Sequence, residues 1–229
     1  WAVQMLWIPI TAAGVINGIG HYWGYRNFDC EDASRNIVPW GILIGGEELH
    51  NNHHTFATSA KLSNKWYEFD IGWMYIQMMS AVGLATVKKT PPKPVLSDLR
   101  PADQNTLEAI IANRYEIMAR YSKTLRRFFS NEVQHMQVLA AHLTDARTWL
   151  AKDESRLTEQ EKAKLEELMA SNAQLRKMIE MRRDLQAIWS RSSATKEQLL
   201  SQLHAWCQHA EESGLTSLRE FSLRLRRYA

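Results

Sequence analysis

Three histidines crowd the stretch Gly45 to Phe56, GGEELHNNHHTF, at positions His50, His53 and His54. On a helix, spacings of three and four bring their imidazoles within an arc of roughly 100°. One face then offers three metal ligands, and neutral imidazole suits iron, copper, zinc or nickel. Capping or water-facing histidines at a polar helix end are the weaker reading, because histidine is scarce and clusters at this spacing usually bind metal. Glu47 and Glu48 precede the histidines instead of sitting between them, so the zinc-protease order H-E-x-x-H is absent. Both glutamates are candidate acceptors for imidazole N–H groups.

These ligands have to be positioned by the flanking elements. Trp1 to Gly20 is apolar apart from Gln4, Thr11 and Asn17, and twenty residues meet the length needed to cross about 30 Å of hydrocarbon. A transmembrane helix is expected, with Pro9 tolerated inside it and the cluster Tyr22, Trp23 and Tyr25 at an interface. Asn17 and His21 follow at a spacing of four on one face. Tyr25, Arg26 and Arg35 suit a phosphate-bearing head group or a snorkelling position at the lipid boundary. From Trp66 to Val87 an apolar stretch is interrupted by Glu68, Asp70, Gln77 and Ser80, which predicts an amphipathic helix on the membrane surface. Lys61, Lys65, Lys88 and Lys89 flank it and point to a cytoplasmic side.

Composition changes at KKTPPKPVLSDLRPAD, where four of the six prolines fall. The expected organisation is a membrane portion over 1–89, a proline-rich linker over 90–105 and a helical tail over 106–229. The fold class is all-α: a transmembrane helix plus cytoplasmic histidine-box helices, then a helical bundle or coiled-coil tail. Met118, Tyr121, Leu125, Phe129, Met136, Leu139 and Leu143 recur at helical spacing. Thr158 with Glu161 and Thr195 with Gln198 form capping boxes that open two more helices, and another follows Gly214. Most charges lie in the tail with both signs mixed, so the basic balance does not amount to a nucleic-acid surface, and no nucleic-acid partner is expected. Cys30 and Cys207 lie in different segments and support no disulfide framework. Glu132 and His135 form an E-x-x-H pair without the second pair and extra glutamates of a carboxylate di-iron bundle, and read as helix surface. His204 and His209 read the same way.

HNNHH, preceded by NGIGHYWGYRNF and followed by WYEFDIGWMYIQMMSAVGLA, resembles the third histidine box and flanks of the membrane fatty acid desaturases, close to their bacterial acyl desaturase branch, over residues 1 to about 89. The resemblance implies an oxygen-dependent enzyme that introduces a cis double bond into an acyl chain at a centre of two irons. His21, His50, His53 and His54 would be ligands, Asn17 would act through water, and no catalytic residue beyond the metal centre is implied. Tyr25 and Arg26 are candidate substrate contacts. The implied partners are a fatty acyl coenzyme A ester or phospholipid, membrane lipid, and an electron donor such as ferredoxin or a reductase. The implied location is a multi-pass membrane protein with its catalytic side cytoplasmic. Gly14 stands where animal members carry tryptophan, which implies a differently shaped substrate tunnel. The first two histidine boxes are missing and are expected upstream of Trp1, so the chain by itself is expected to be inactive. A membrane-anchored adaptor with structural zinc and a related membrane hydroxylase are the alternatives. The close of the chain, WCQHAEESGLTSLREFSLRLRRYA, faintly resembles helical segments of insertion-sequence transposases. With no acidic triad to be picked out, that likeness carries no function at this level.

Overall fold

The computed structural model describes residues 1–135, 146, 149, 150, 152, 154–190 and 194–229. Met136, Leu139 and Leu143 of the tail pattern lie outside the described residues. The chain divides into two compact units, Trp1–Pro92 and Lys93–Ala229. Both are helical, as the sequence predicts.

The first unit begins with α1, Ala2–Tyr22, the one helix among the described residues that is long and apolar enough to cross a membrane. Its middle, Pro9–Ile19, winds in wider π turns. Pro9 has no N–H to give the preceding turn, and the hydrogen-bond register slips there. The Thr11 hydroxyl reaches back 2.8 Å to the carbonyl of Trp7. That bond satisfies a polar group on a helix whose side chains are mostly apolar. Val3, Leu6, Trp7 and Ile10 all face outward.

After α1 the chain turns at Gly24, φ +123°, where a Cβ would stand 2.1 Å from the Asn36 carbonyl. Only glycine fits so close a return. Tyr25 and Asn36 then pair as an antiparallel bridge. Two short parallel strands, β1 (Trp40–Gly41) and β2 (Phe69–Asp70), bracket the short helix α2, His50–Thr55. Helix α3, Ile71–Ala81, is capped by Asp70, whose Oδ1 accepts the Trp73 amide at 2.8 Å. The other Asp70 oxygen accepts the amides of Leu62 and Ser63. The sequence suggests an amphipathic helix on a membrane surface here; α3 buries no residue and exposes Tyr75, Met78 and Met79. Its polar interruptions Glu68 and Asp70 lie before the helix begins.

The second unit contains α4 (Gln104–Ala112), α5 (Arg114–His135), α6 (Glu159–Ser171), α7 (Ala173–Ser190), α8 (Lys196–Glu212) and α9 (Thr216–Leu225). Capping boxes at Thr158 and Thr195 open α6 and α8, and Gly214 precedes α9 with φ +75°. One break is not signalled by periodicity: α6 ends at Asn172, whose side chain accepts the Leu175 amide at 2.8 Å and starts α7. Met118, Tyr121, Leu125 and Phe129 of α5 are buried.

Helix α7 is central to this unit and buries Leu175, Met178, Ile179, Met181, Arg182, Leu185 and Ile188. The Tyr121 hydroxyl of α5 donates to the Met178 carbonyl at 2.7 Å, and the Trp206 indole of α8 donates to the Met181 carbonyl at 2.7 Å. Buried aromatic rings thereby keep their polar ends paired. The Phe221 ring of α9 meets both edge-on. Residues 95–97 and 227–229 run together: the Ser97 amide donates to Arg227 and the Ala229 amide to Val95.

Candidate metal centre

The site is built where the end of α1 meets α2. Gly20 has no side chain where the His50 ring lies; a Cβ would stand 3.1 Å from its Cδ2. His21, one residue on, faces His50 with the two Nε2 atoms 3.1 Å apart. His54 closes the group one helical turn after His50, with ring centroids 4.2 Å apart. One ligand nitrogen from each of His21, His50 and His54 lies within 4.8 Å of the others. Among the described residues this is the one such group of three or more.

His53 is not among the three. Its ring stacks at 6.4 Å from that of His50, and its Nδ1 lies 3.9 Å from Glu47 Oε1. Asn17 is exposed on α1. The Arg26 guanidinium donates to the carbonyls of Cys30, Asp32 and Ser34, and thereby shapes the 26–34 loop. Arg35 donates to the Gly24 carbonyl. The Tyr25 hydroxyl donates to Glu68 at 2.7 Å. Burial raises that phenol well above its ordinary range, and Glu68 raises it further, so it stays a donor.

The two asparagines of HNNHH hold α2 in place. Asn51 Oδ1 accepts the amides of Asn27 and Phe28, and its Nδ2 donates to the Phe28 carbonyl. Asn52 donates to the Leu62 carbonyl and to Glu68 Oε2, each at 2.9 Å, and its Oδ1 accepts from Asn27 and Asn36. Glu68, nearly buried, also accepts the amides of Asn64 and Lys65. A buried carboxylate is tolerated when its lone pairs are this fully occupied.

Of the two glutamates expected as imidazole acceptors, Glu47 lies near His53, while the acceptor against His54 is Asp32, which the sequence does not single out. Glu48 Oε1 takes the amides of Leu43 and Ile44 instead. Asp32 Oδ2 lies 2.5 Å from His54 Nδ1, and its Oδ1 accepts the Ser34 amide at 2.8 Å. Asx-type turns of this kind are the one signal in DAS that marks Asp32. Burial opposes ionisation of Asp32, but hydrogen bonds from Ser34, His54 and Cys30 prevail and hold the carboxyl well below its usual range.

The donor set fits a cation. His50 is 3% exposed, and its Nδ1 is a buried nitrogen without a hydrogen-bond partner. Burial, then the neighbouring charges of His54, His21 and His53, push its pKa down to about 4. His50 is therefore neutral at ordinary pH, the form in which imidazole ligates metal.

Comparison with known proteins bears on both units. The chain is 43% identical over 79 residues to an sn-2 palmitoyl-lipid 9-desaturase of Nostoc sp. (strain 36), covering 34% of this chain and 28% of that protein. It is 37% identical over 95 residues to an sn-1 stearoyl-lipid 9-desaturase of Anabaena variabilis, covering 41% and 35%. It is 39% identical over 77 residues to Delta-9 acyl-lipid desaturase 1 of Arabidopsis thaliana, covering 34% and 25%. The chain thus contains a desaturase-related region and spans between a quarter and about a third of the length of these relatives. A second family lies in the other part: the ISL3-type transposase profile matches residues 104–229. Since that match takes in more than half of its residues, the chain belongs to the transposase family. The faint likeness at the close of the sequence therefore extends through the helical unit and is not without weight. No solved structure matches the chain.

Proposed function

We propose that the first unit is the third-histidine-box portion of an acyl-lipid desaturase, joined in one chain to a transposase-family helical unit. The observation that carries this reading is the convergence of His21, His50 and His54 at the end of an apolar helix. The desaturase likeness belongs to the first unit because the quoted motifs lie there and the transposase match begins at residue 104.

On this reading the ligands serve a centre of two irons, with His21, His50, His53 and His54 contributing imidazoles and Asn17 a contact through water. Removing hydrogen from an unactivated methylene takes an oxidant stronger than any side chain, which bound iron supplies with oxygen. The part played by this chain is positional. Asn51, Asn52 and Glu68 fix α2, and α2 holds the imidazoles at the end of α1, where an acyl chain would be presented. Four imidazoles do not saturate two irons, so the chain alone holds iron weakly and leaves lipid unsaturation unchanged. The acyl-lipid substrate, the electron donor and the cytoplasmic placing of the site belong to the complete enzyme.

The helical unit is read as a transposase-family segment, and among its described residues no three carboxylates are close enough to share an ion. The test of the main reading is equilibrium titration of the purified chain in detergent micelles with iron(II) under anaerobic conditions. Weak binding by the parent chain and its loss in His21→Ala, His50→Ala and His54→Ala are expected. Equal iron binding in parent and variants would overturn the reading.

A further inference from the structure

We infer that Asp32 is the positioning residue of the metal centre, acting through His54 and fixing which ring nitrogen is offered to the ion. This inference rests on the metal-site reading above. An ionised carboxylate only accepts hydrogen bonds, so the nitrogen 2.5 Å from Asp32 Oδ2, His54 Nδ1, carries the proton. Nε2 is then the lone-pair nitrogen, and it is the one left free to face His21 and His50. Without such a partner an imidazole divides between two tautomers, one of which has no lone pair at Nε2.

Asp32 is itself held. Its Oδ1 accepts the Ser34 amide at 2.8 Å and the Cys30 thiol at 3.4 Å. The carbonyl of the same residue accepts from the Arg26 guanidinium at 2.7 Å. Arg26 also takes the carbonyls of Cys30 and Ser34, so one guanidinium closes the loop that aims the carboxylate. Arg26, a candidate lipid contact by sequence, thereby acquires a role in holding the site.

Asp32→Asn separates this role from general support of the loop. An asparagine Oδ1 still accepts the Ser34 amide, but its NH2 then faces His54 Nδ1 and donates to it. That polarity forces the proton onto Nε2 and removes the lone pair, the logic by which an Asp-to-Asn change disables a catalytic histidine.

The experiment uses the full chain with 15N-labelled histidine in detergent micelles, read by NMR without metal and by titration with cobalt(II). The parent chain should show His54 protonated at Nδ1. Asp32→Asn should show it protonated at Nε2, with unchanged circular dichroism and cobalt affinity lower by about 10- to 100-fold. Asp32→Glu should restore the Nδ1 proton. An unchanged tautomer in Asp32→Asn overturns the inference, as does an inverted tautomer with unchanged cobalt affinity. If the parent binds no cobalt, the metal-site reading fails, and the tautomers still decide what Asp32 does to His54.

Discussion

His21 and His50 approach Nε2 to Nε2 at 3.1 Å, although they lie on different helices and 29 positions apart. Two acceptors cannot meet at this distance without a proton or a cation between them. Removing either ring should therefore cost the site its ion, not merely weaken it. Iron(II) binding by His50→Ala, read by titration, should fall to background, and His21→Ala should do the same. Circular dichroism of both variants should match the parent, since α1 and α2 are held by other contacts.

Glu68 is the contact most able to disturb the site from outside it. Glu68→Gln replaces an acceptor with an amide whose NH2 meets donors from Asn52, Asn64 or Lys65. One buried donor left unpaired costs about 1–3 kcal/mol. The expected result is a lower unfolding midpoint for the first unit together with reduced iron(II) binding. An Asn52→Ala variant should show both effects, because it releases the same helix.

In the helical unit, Tyr121→Phe keeps the buried ring and deletes its bond to the Met178 carbonyl. The loss should be about 1 kcal/mol, since that carbonyl retains a helical partner. Urea unfolding of the full chain, followed at the helical signal, checks this value. A change near zero would show that α5 is held to α7 by apolar packing alone.

The thiol of Cys207 gives that unit a dependence on alkaline pH. Burial raises its pKa above the ordinary 9.0, with Ser222 opposing and Glu211 adding to the rise. The folded chain keeps a proton that the unfolded chain releases above about pH 9, so stability is full below that pH and declines as pH rises beyond it. Urea midpoints at pH 8 and pH 10 should differ less in Cys207→Ala than in the parent. Tyr121 and Tyr228 are raised in the same direction, so the variant should reduce the difference without abolishing it.

Much of this architecture is written in local patterns. The capping boxes at Thr158 and Thr195 act within four residues and are legible without any fold. The histidine spacing likewise carries its own geometry, which is why His50 and His54 meet one turn apart. His53 has the same credentials in sequence, yet its ring stands nearer Glu47, because the helix is short and only one side of it faces α1. Asp32 is hidden for another reason: it reaches His54 across 22 positions through a loop whose shape depends on Arg26. Asn51 and Asn52 look like polar filler between ligands until their partners at 27, 28, 36, 62 and 68 are known. The π turns after Pro9 and the break at Asn172 depend on hydrogen-bond choices that hydrophobic periodicity does not encode.

The pairing of residues 95–97 with 227–229 makes the helical unit a closed circuit. The two segments lie at neighbouring points of the unit, and the described helices around α7 fall between them in sequence. A body of this kind behaves as a cassette: it can be joined to another segment at one point of the chain without its own elements being interrupted. An apolar membrane helix and a histidine-rich loop can therefore precede it in the same sequence without interrupting its helices.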